Sequence, residues 1–162
     1  MTEDDLARLL ELNNRATPAV PEHSVEEFSE LWRMMDYSVA VWSNESVVGF
    51  LWAVEPGSSY TSENYRFFEE QGFPHLYIDR IVVDDSARGQ GLGTSLYEHV
   101  FDEARRRGFT AVTCEVNLEP PNPGSLSFHH RMGFDDYAIQ STKGGQVVVQ
   151  LLRATLAPGG ER

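Results

Sequence analysis

The chain has 162 residues, a formal net charge of −12 at pH 7, 41% hydrophobic residues and 23% charged residues, which suits one globular domain spanning residues 1–162. The longest apolar run, residues 47–54, is far shorter than the roughly 20 residues of a membrane helix, and the acidic start does not fit a signal peptide, so a cytoplasmic protein without membrane contact is expected. The excess of 25 Asp and Glu over 13 Lys and Arg argues against nucleic acid as a partner, and the single Cys114 excludes an intrachain disulfide or a multi-cysteine metal site.

Two amphipathic helices are predicted at the start. The first covers residues 3–14, where leucines recur at helical spacing and Thr2 and Asp5 are placed as a capping box. Ser24 and Glu27 repeat that spacing, and apolar residues follow at helical intervals, so a second helix begins there. Both apolar stripes are expected to face the core.

A hairpin and a short helix follow. Two β-rich runs, residues 37–42 and 47–55, are joined by a turn-prone Ser-Asn-Glu-Ser segment. After a Pro-Gly break, residues 62–71 predict a short helix that stops at Gly72. This helix is rich in aromatic residues, among them Tyr65, and two interpretations stay open: it covers a substrate pocket, or it only caps the core.

The second half of the chain alternates strands and helices. The predicted order is a strand (76–83), a glycine-rich loop, a helix (92–107), a strand (110–116), a short helix (123–132) and two closing strands (134–140 and 146–153). This order predicts a mixed α/β sheet with helices on its faces. Three arginines end the long helix, where their positive charges interact favourably with the negative end of the helix dipole. We therefore interpret them as a helix terminus and not as an anion-binding patch.

The glycine-rich loop, residues 84–94, carries the most chemical information. Glycines let the backbone approach a ligand, and the free N–H groups at a helix N-terminus attract an anion such as a pyrophosphate. A dinucleotide fingerprint would need glycine at the position of Thr94, and a P-loop would need a lysine that the region lacks. The acidic pair Asp84-Asp85 at the loop's start is expected to be solvated or turn-forming.

The pattern that remains, Arg88-x-x-Gly91-x-Gly93, resembles the coenzyme A pyrophosphate loop of the GNAT superfamily of N-acetyltransferases. In that family the preceding strand, here residues 81–83, also pairs through its backbone with the pantetheine arm of the coenzyme.

A second segment strengthens the resemblance. Asn122 can cap a short helix, Pro123 suits its first position, and a Gly133-Phe134 pair closes it, as in the corresponding GNAT element. The similarity covers about residues 75–134. The sequence of this stretch also resembles that of a prokaryotic GNAT subgroup with no assigned substrate.

The resemblance implies the fold, the co-substrate and the residues that contact it. The expected fold is α/β (α+β): a mixed, mostly antiparallel twisted sheet of about six or seven strands flanked by about four helices, without the short strand that usually precedes the family's first helix. Acetyl-CoA is the implied co-substrate, no metal is expected, and a homodimer would follow the family pattern. The implied coenzyme contacts are Ile81, Val82, Val83, Arg88, Gly89, Gln90, Gly91, Leu92, Gly93, Thr94, Asn122, Ser125, Phe128 and His129.

Thioester aminolysis requires a group that removes a proton from the amine. GNAT enzymes often take this base from the strand that leads into the coenzyme loop, which makes Asp79 the leading candidate, although an ion pair with Arg80 is the alternative. Glu115 on the next strand is the second candidate, and Asn117 is a candidate contact for substrate or water. Tyr77, on the same strand face as Asp79, and Tyr65 complete the predicted substrate contacts.

The same resemblance implies that a residue of the short helix donates a proton to the departing sulfur. Family members commonly place a tyrosine directly after the aromatic residue of the short helix, whereas this chain has His129 there. An imidazole with an unperturbed pKa of about 6.5 can donate a proton near neutrality. A hydrogen bond to the coenzyme and a packing role are the alternatives. His129 and His130 are adjacent and do not form a metal-binding pair.

Three functions therefore stay open. The first is transfer of an acetyl group from acetyl-CoA to the amine of an unidentified small molecule by direct attack on the thioester. The second is a coenzyme A-binding regulatory module without turnover, and the third is a protein or peptide N-acetyltransferase. The acidic net charge mildly favours a cationic substrate.

Overall fold

The structure is a computed structural model that describes residues 2–157. Within these residues the elements are α1 Leu6–Arg15, α2 Val25–Arg33, β1 Tyr37–Ser43, β2 Ser46–Val54, α3 Glu63–Gln71, β3 His75–Val83, α4 Leu92–Arg106, β4 Ala111–Glu119, α5 Pro123–Arg131, β5 Asp135–Thr142 and β6 Val147–Thr155. The predicted mixed α/β fold is confirmed, with five α-helices in this part of the chain where about four were expected.

The six strands form one sheet in the order β1-β2-β3-β4-β6-β5. The pairs β1–β2, β4–β6 and β5–β6 are antiparallel, whereas β3 and β4 pair in parallel. The parallel pairing joins residues 75–77 to residues 111–113. The mostly antiparallel sheet is thus confirmed, and no strand precedes α1 among the described residues.

The contacts divide the chain into two compact units. The first unit comprises Met1–Val54 and Ile78–His99, and the second comprises Glu55–Tyr77 and Val100–Arg162. Strand β3 begins in the second unit and continues into the first. The candidate coenzyme loop therefore belongs to the first unit, and helix α5 to the second.

The core of the first unit contains aromatic residues from α2 and β2. Phe28, Phe50 and Trp52 are buried, and the rings of Phe28 and Trp52 lie 4.5 Å apart between centroids. The predicted capping box at α2 is present, because Ser24 Oγ accepts from the Glu27 N–H and the Ser24 N–H donates to the Glu27 carboxylate. This cap fixes where α2 begins.

The start of α1 differs from the prediction. Residues Glu3–Asp5 form a 3₁₀ turn, and the α-helix proper begins at Leu6. The N–H of Thr2 donates to Asp5 Oδ2 at 2.7 Å, so the predicted pair closes this turn instead of the first α-helical turn. Helix termini often tighten into 3₁₀ geometry, which periodicity alone does not reveal.

The β1–β2 hairpin has a tighter turn than expected. Asn44 and Glu45 alone connect the strands, with φ values of +47° and +66°. Two central residues with positive φ are typical of the two-residue turn that matches strand twist. A register shift after Val41 leaves Val48 as the extra residue of a β-bulge, and bulges of this kind redirect the chain locally.

The second unit also has an aromatic core. Ser62 caps α3 by accepting from the Tyr65 N–H, and Gly72, with φ of +76°, ends the helix. Phe68 is fully buried and lies within 6.5 Å, between ring centroids, of Phe73 and Tyr77. Helix α3 therefore contributes its aromatic face to the core of this unit.

Candidate functional site

The candidate coenzyme loop, residues 84–94, starts with an aspartate that shapes its own backbone. Asp84 Oδ1 accepts from the Ser86 N–H at 2.9 Å and from the Ser86 hydroxyl at 2.8 Å, which caps the 3₁₀ turn Asp85–Ala87. These bonds are the main reason that the pKa of Asp84 is lowered, and Arg8 adds to the effect. The predicted turn-forming role of Asp84 is confirmed.

Glycines then lead the backbone into α4. Gly89 and Gly91 both have φ of +75°, a region in which other residues are strained. The N–H of Ser95 donates to the Gly91 carbonyl at 3.0 Å as the first bond of the helix. The N–H groups of Leu92, Gly93 and Thr94 precede it, and an α-helix provides no internal acceptor for such groups. The loop thus presents backbone donors at the positive end of a helix dipole, which suits a pyrophosphate.

The predicted cation of the loop, Arg88, is exposed to solvent. Its side chain is 68% exposed, and its Nε lies 2.9 Å from Asp85 Oδ1. A cavity of the first unit lies beside it, lined by Arg15, Val83, Asp84 and Arg88 among others. Arg88 is therefore accessible to an anionic ligand at the loop.

Arg8 from α1 contacts the start of this loop, and no sequence pattern predicts this contact. Its Nη2 donates to Asp84 Oδ2 at 2.6 Å, and its Nε donates to the Val47 carbonyl at 3.1 Å. The bulged Val48 contributes as well, because its carbonyl accepts from the Asp84 N–H at 2.8 Å. Residues 76 positions apart in sequence are joined here, so local patterns carry no signal of the contact.

Asp79, the leading candidate base, forms a buried ion pair with its neighbour. Its Oδ2 lies 2.7 Å from Arg80 Nε, and the two side chains are only 5% and 4% exposed. Arg80 Nη1 also donates to Asn13 Oδ1 at 2.6 Å. The ion pair foreseen as the alternative is present, and the role of Asp79 as base stays a prediction.

The end of β3 presents the backbone expected to pair with the pantetheine arm. Ile81 and Val83 are half-buried and Val82 is buried. Gly49 on β2 permits a close approach to this segment, because a Cβ at that position would lie 3.2 Å from the Val82 carbonyl oxygen. A larger residue on β2 would therefore press on the candidate coenzyme strand.

In the second unit, Tyr77 and Glu115 meet. The hydroxyl of Tyr77 donates to Glu115 Oε2 at 2.7 Å, and Tyr77 is fully buried. Tyr65 packs edge-on against Tyr77 at 5.5 Å between ring centroids, and its own hydroxyl donates to the Glu55 carbonyl at 2.7 Å. Tyr65 is 1% exposed and lies in the core, so its contacts match the packing alternative, and substrate contact by Tyr65 and Tyr77 stays a prediction.

Asn122 organises the start of α5 as predicted. Its Oδ1 accepts from the Ser125 N–H at 3.3 Å, and its own N–H donates to the Asn117 carbonyl at 3.1 Å. The cap therefore links the end of β4, which carries Asn117, to the helix that carries Ser125, Phe128 and His129.

His129 is buried and its neutral tautomer is defined by one contact. Its Nδ1 lies 2.7 Å from the Ser125 carbonyl oxygen, which can only accept, so Nδ1 carries a hydrogen. The ring is 3% exposed and packs against Phe128 and Phe134 at 5.5 and 5.4 Å between centroids. Burial lowers the pKa of His129, which outweighs the opposing effect of the Ser125 carbonyl. His129 is therefore mainly a neutral imidazole at pH 7.

The structure brings the predicted residues together in groups. The first unit joins Asp79 to Arg80, and the second joins Tyr65, Tyr77 and Glu115 in one cluster and Ser125 and His129 in another. Within residues 2–157, no three His, Cys, Asp or Glu side chains are arranged to hold a metal ion. In the same range, no helix combines the length and the apolar character needed to cross a bilayer.

Known proteins resemble this chain in sequence and in fold. The L-2,4-diaminobutyric acid acetyltransferase of Nocardia farcinica is 24% identical over 133 residues, a match that covers 76% of this chain and 64% of that protein. The ribosomal-protein-S18-alanine N-acetyltransferase of Escherichia coli has the same fold, with a TM-score of 0.73 at 19% identity over 100% of this chain and 94% of that one.

An aminoglycoside 6'-N-acetyltransferase solved in complex with coenzyme A also shares the fold, with a TM-score of 0.70 at 16% identity over 96% of this chain and 93% of that one. Residues 6–134 match the family described as the Acetyltransferase (GNAT) family. That match spans the Asp79 strand, the candidate coenzyme loop and α5, which follow one another in this order along the chain. The chain belongs to the GNAT acetyltransferase family.

Proposed function

We propose that this protein is an N-acetyltransferase that transfers an acetyl group from acetyl-CoA to the amine of a small molecule. The observation that carries the proposal is the loop of residues 84–94, where positive-φ glycines lead into the start of α4, whose first N–H groups have no acceptor within the helix. These donors and Arg88 would bind the coenzyme's diphosphate, and the backbone of residues 81–83 would pair with the pantetheine arm. The coenzyme A complex of the aminoglycoside 6'-N-acetyltransferase, which has the same fold, supports this assignment.

The reaction forms a C–N bond between amine and acetyl carbonyl and breaks the C–S bond of the thioester. A primary amine must lose protons along this path, and the leaving sulfur must gain one to depart as a thiol. Backbone N–H groups near Val82 are candidates for polarising the thioester carbonyl. The remaining tasks are the removal and the delivery of a proton.

Asp79 is the first candidate for removing the proton. Its carboxylate is held in one orientation by Arg80, and a fixed carboxylate on the strand that leads into the coenzyme loop supports this role. Glu115 is the second candidate, since the Tyr77 hydroxyl fixes its carboxylate as well. The pH profiles of Asp79→Asn and Glu115→Gln, in which each carboxylate is replaced by a neutral amide of the same shape, decide between the two candidates.

His129 is the candidate for delivering a proton to sulfur. Because burial keeps the ring neutral, it must first acquire the proton that it passes on. Acylation of the amine releases such a proton, and Nε2 is the nitrogen that would take it up, since Nδ1 already donates to the Ser125 carbonyl. His129 would then act as a proton carrier, not as an acid that is already charged at rest.

A protein acceptor is the second candidate function. It is favoured by the full-length structural match to the ribosomal-protein-S18-alanine N-acetyltransferase, with a TM-score of 0.73. A small-molecule acceptor is favoured by the relative that acts on L-2,4-diaminobutyric acid, whose match covers 76% of this chain. Because these two proteins act on acceptors of different classes, the acceptor class of this chain has to be measured.

The test combines binding and turnover. Calorimetry with acetyl-CoA should show saturable binding, and free thiol should appear in the presence of an amine from a panel that contains diamino acids, aminoglycosides and short peptides. Binding without amine-dependent thiol release would identify a coenzyme-binding regulatory module instead. Turnover of peptides alone would identify a protein acetyltransferase, and a folded protein with no affinity for the coenzyme would refute the whole assignment.

A further inference from the structure

The guanidinium of Arg80 connects the candidate base to the segment between the first two helices. Nε of Arg80 binds Asp79 Oδ2 at 2.7 Å, and Nη1 donates to Asn13 Oδ1 at 2.6 Å. The same guanidinium lies 5.6 Å from the ring centroid of Trp52 and 6.0 Å from that of Phe28. A planar group held on two edges and by its aromatic surroundings has little freedom to reorient.

Asn13 connects Arg80 to the segment of residues 16–24, which we call the α1–α2 loop. The side chain is fully buried, and its Nδ2 donates to the Pro21 carbonyl at 2.8 Å and to Asn14 Oδ1 at 3.0 Å. Because Arg80 can only donate, its bond to Oδ1 forces the Nδ2 end of the amide toward Pro21. The orientation of Asn13 is thus determined at Arg80.

Asn14 extends the contact to the end of the loop. Its Oδ1 accepts from the His23 N–H at 3.1 Å, and its Nδ2 donates to the His23 carbonyl at 2.9 Å. A continuous series of hydrogen bonds therefore runs from the Asp79 carboxylate through Arg80 and the two asparagines to His23. All of these residues belong to the first unit.

We propose that Arg80 is a positioning residue that fixes the Asp79 carboxylate and the α1–α2 loop together, so that the acceptor amine and its base are aligned by one side chain. This inference rests on the proposed function, in which Asp79 is the candidate base, and adds to it that the α1–α2 loop contacts the acceptor. Arg80 itself does not touch the reacting atoms in this scheme. Its effect passes through Asn13 to the loop and through Nε to the carboxylate.

The first measurement does not depend on activity. Amide hydrogen exchange of the His23 N–H should be faster in Asn13→Ala and in Arg80→Lys, by roughly tenfold for the loss of one supporting hydrogen bond, while the amides of β2 keep their protection. Arg33→Lys is the matched control, since Arg33 is exposed and its ion pair with Glu3 is long, at 3.8 Å. Unchanged exchange at His23 in Asn13→Ala would overturn the proposal, and this variant decides the matter even if Arg80→Lys does not fold.

The second measurement separates the effect of the Arg80 contact with Asn13 from that of its contact with Asp79. Asn13→Ala should raise the KM for the acceptor by roughly tenfold with little change in kcat, whereas Arg80→Lys should raise KM and also lower kcat. Both should bind acetyl-CoA as the wild type does. A change confined to coenzyme affinity, or equal kinetics in Asn13→Ala and the wild type, would contradict the inference. If the wild type itself shows no turnover, the proposed function fails, and the exchange result still judges the coupling.

Discussion

Tyr77 donates its hydroxyl to Oε2 of Glu115 at 2.7 Å, across the point where β3 and β4 pair in parallel. The phenol is fully buried and stacks edge-on with Tyr65. A carboxylate that accepts a bond from a buried phenol is held in one rotamer. Glu115 is therefore oriented by a buried phenol, whereas Asp79 is oriented by Arg80.

Removing the Tyr77 hydroxyl should release Glu115 without opening the core. We expect Tyr77→Phe to cost about 1 to 2 kcal/mol of unfolding free energy, since one buried hydrogen bond is lost. If Glu115 takes part in the reaction, kcat should fall by roughly tenfold at unchanged acetyl-CoA affinity. Urea unfolding and steady-state kinetics measure the two effects, and a loss of stability alone would limit the pair to a structural role.

The base is identified by comparing two isosteric amides. Asp79→Asn should lower kcat/KM by about 10²- to 10⁴-fold and flatten the acidic limb of its pH profile, whereas Glu115→Gln should leave that limb in place. The two proteins serve as controls for each other, because each loses one buried or half-buried carboxylate. The opposite pattern would transfer the role to Glu115, and two unchanged limbs would point to an ordered water.

The Arg8 contacts predict an effect on coenzyme affinity at a distance. Arg8→Ala removes donors to Asp84 and to the Val47 carbonyl, so the start of the coenzyme loop should lose its fixed position. We expect acetyl-CoA to bind roughly tenfold more weakly with acceptor KM nearly unchanged. Calorimetry measures the affinity, Arg33→Ala controls for the loss of an arginine, and equal affinities in the two variants would refute the role of Arg8.

Gly49 predicts a steric effect on the same region. A methyl group in Gly49→Ala would lie 3.2 Å from the Val82 carbonyl oxygen and 3.7 Å from Leu96 Cδ1, so β2 and β3 must shift by a few tenths of an ångström. We expect a cost of about 1 kcal/mol and weaker coenzyme binding. Gly124→Ala in α5 is the matched control, because a Cβ there meets no atom within 4 Å, and it should be neutral or stabilising.

Two buried histidines predict how stability responds to pH. Burial lowers the pKa of both His75 and His129, so between their folded pKa values and about 6.5 the unfolded chain binds more protons than the folded one. Stability should therefore rise with pH up to about 6.5 and level off above it, by at most about 1.4 kcal/mol per pH unit for each histidine. Urea midpoints at several pH values test this, and His129→Phe should reduce the slope.

Local rules predict most of the elements that the structure shows. The capping box at Ser24, the end of α3 at Gly72 and the Asn122 cap each involve residues within a few positions of one another, so the sequence states them directly. The glycines of the loop are likewise placed directly before a helix by the sequence, and their role in coenzyme binding stays a prediction. The structure differs from these predictions in the 3₁₀ turn before Leu6, in the two-residue hairpin turn with its bulge at Val48, and in having five α-helices where about four were expected.

The contacts that orient the candidate site could not be predicted from local sequence patterns, because they join distant parts of the chain. Arg8 and Asp84 are 76 residues apart, and Asn13 and Arg80 are 67 apart. For the same reason, the sequence does not decide between the two interpretations of Tyr65. The burial of His129, which makes its ring neutral, also depends on Phe134 and the core around it and not on the residue type.

The cation beside Trp52 gives the protein an internal optical reporter. The indole is fully buried with the Arg80 guanidinium 5.6 Å from its ring, whereas Trp42 is half exposed. The emission colour of an indole follows the electric field around it, so movement of that guanidinium would register as a spectral change. With Trp32 and Trp42 replaced by phenylalanine, the fluorescence of this one side chain would report whether the Arg80 guanidinium keeps its position, without any attached dye.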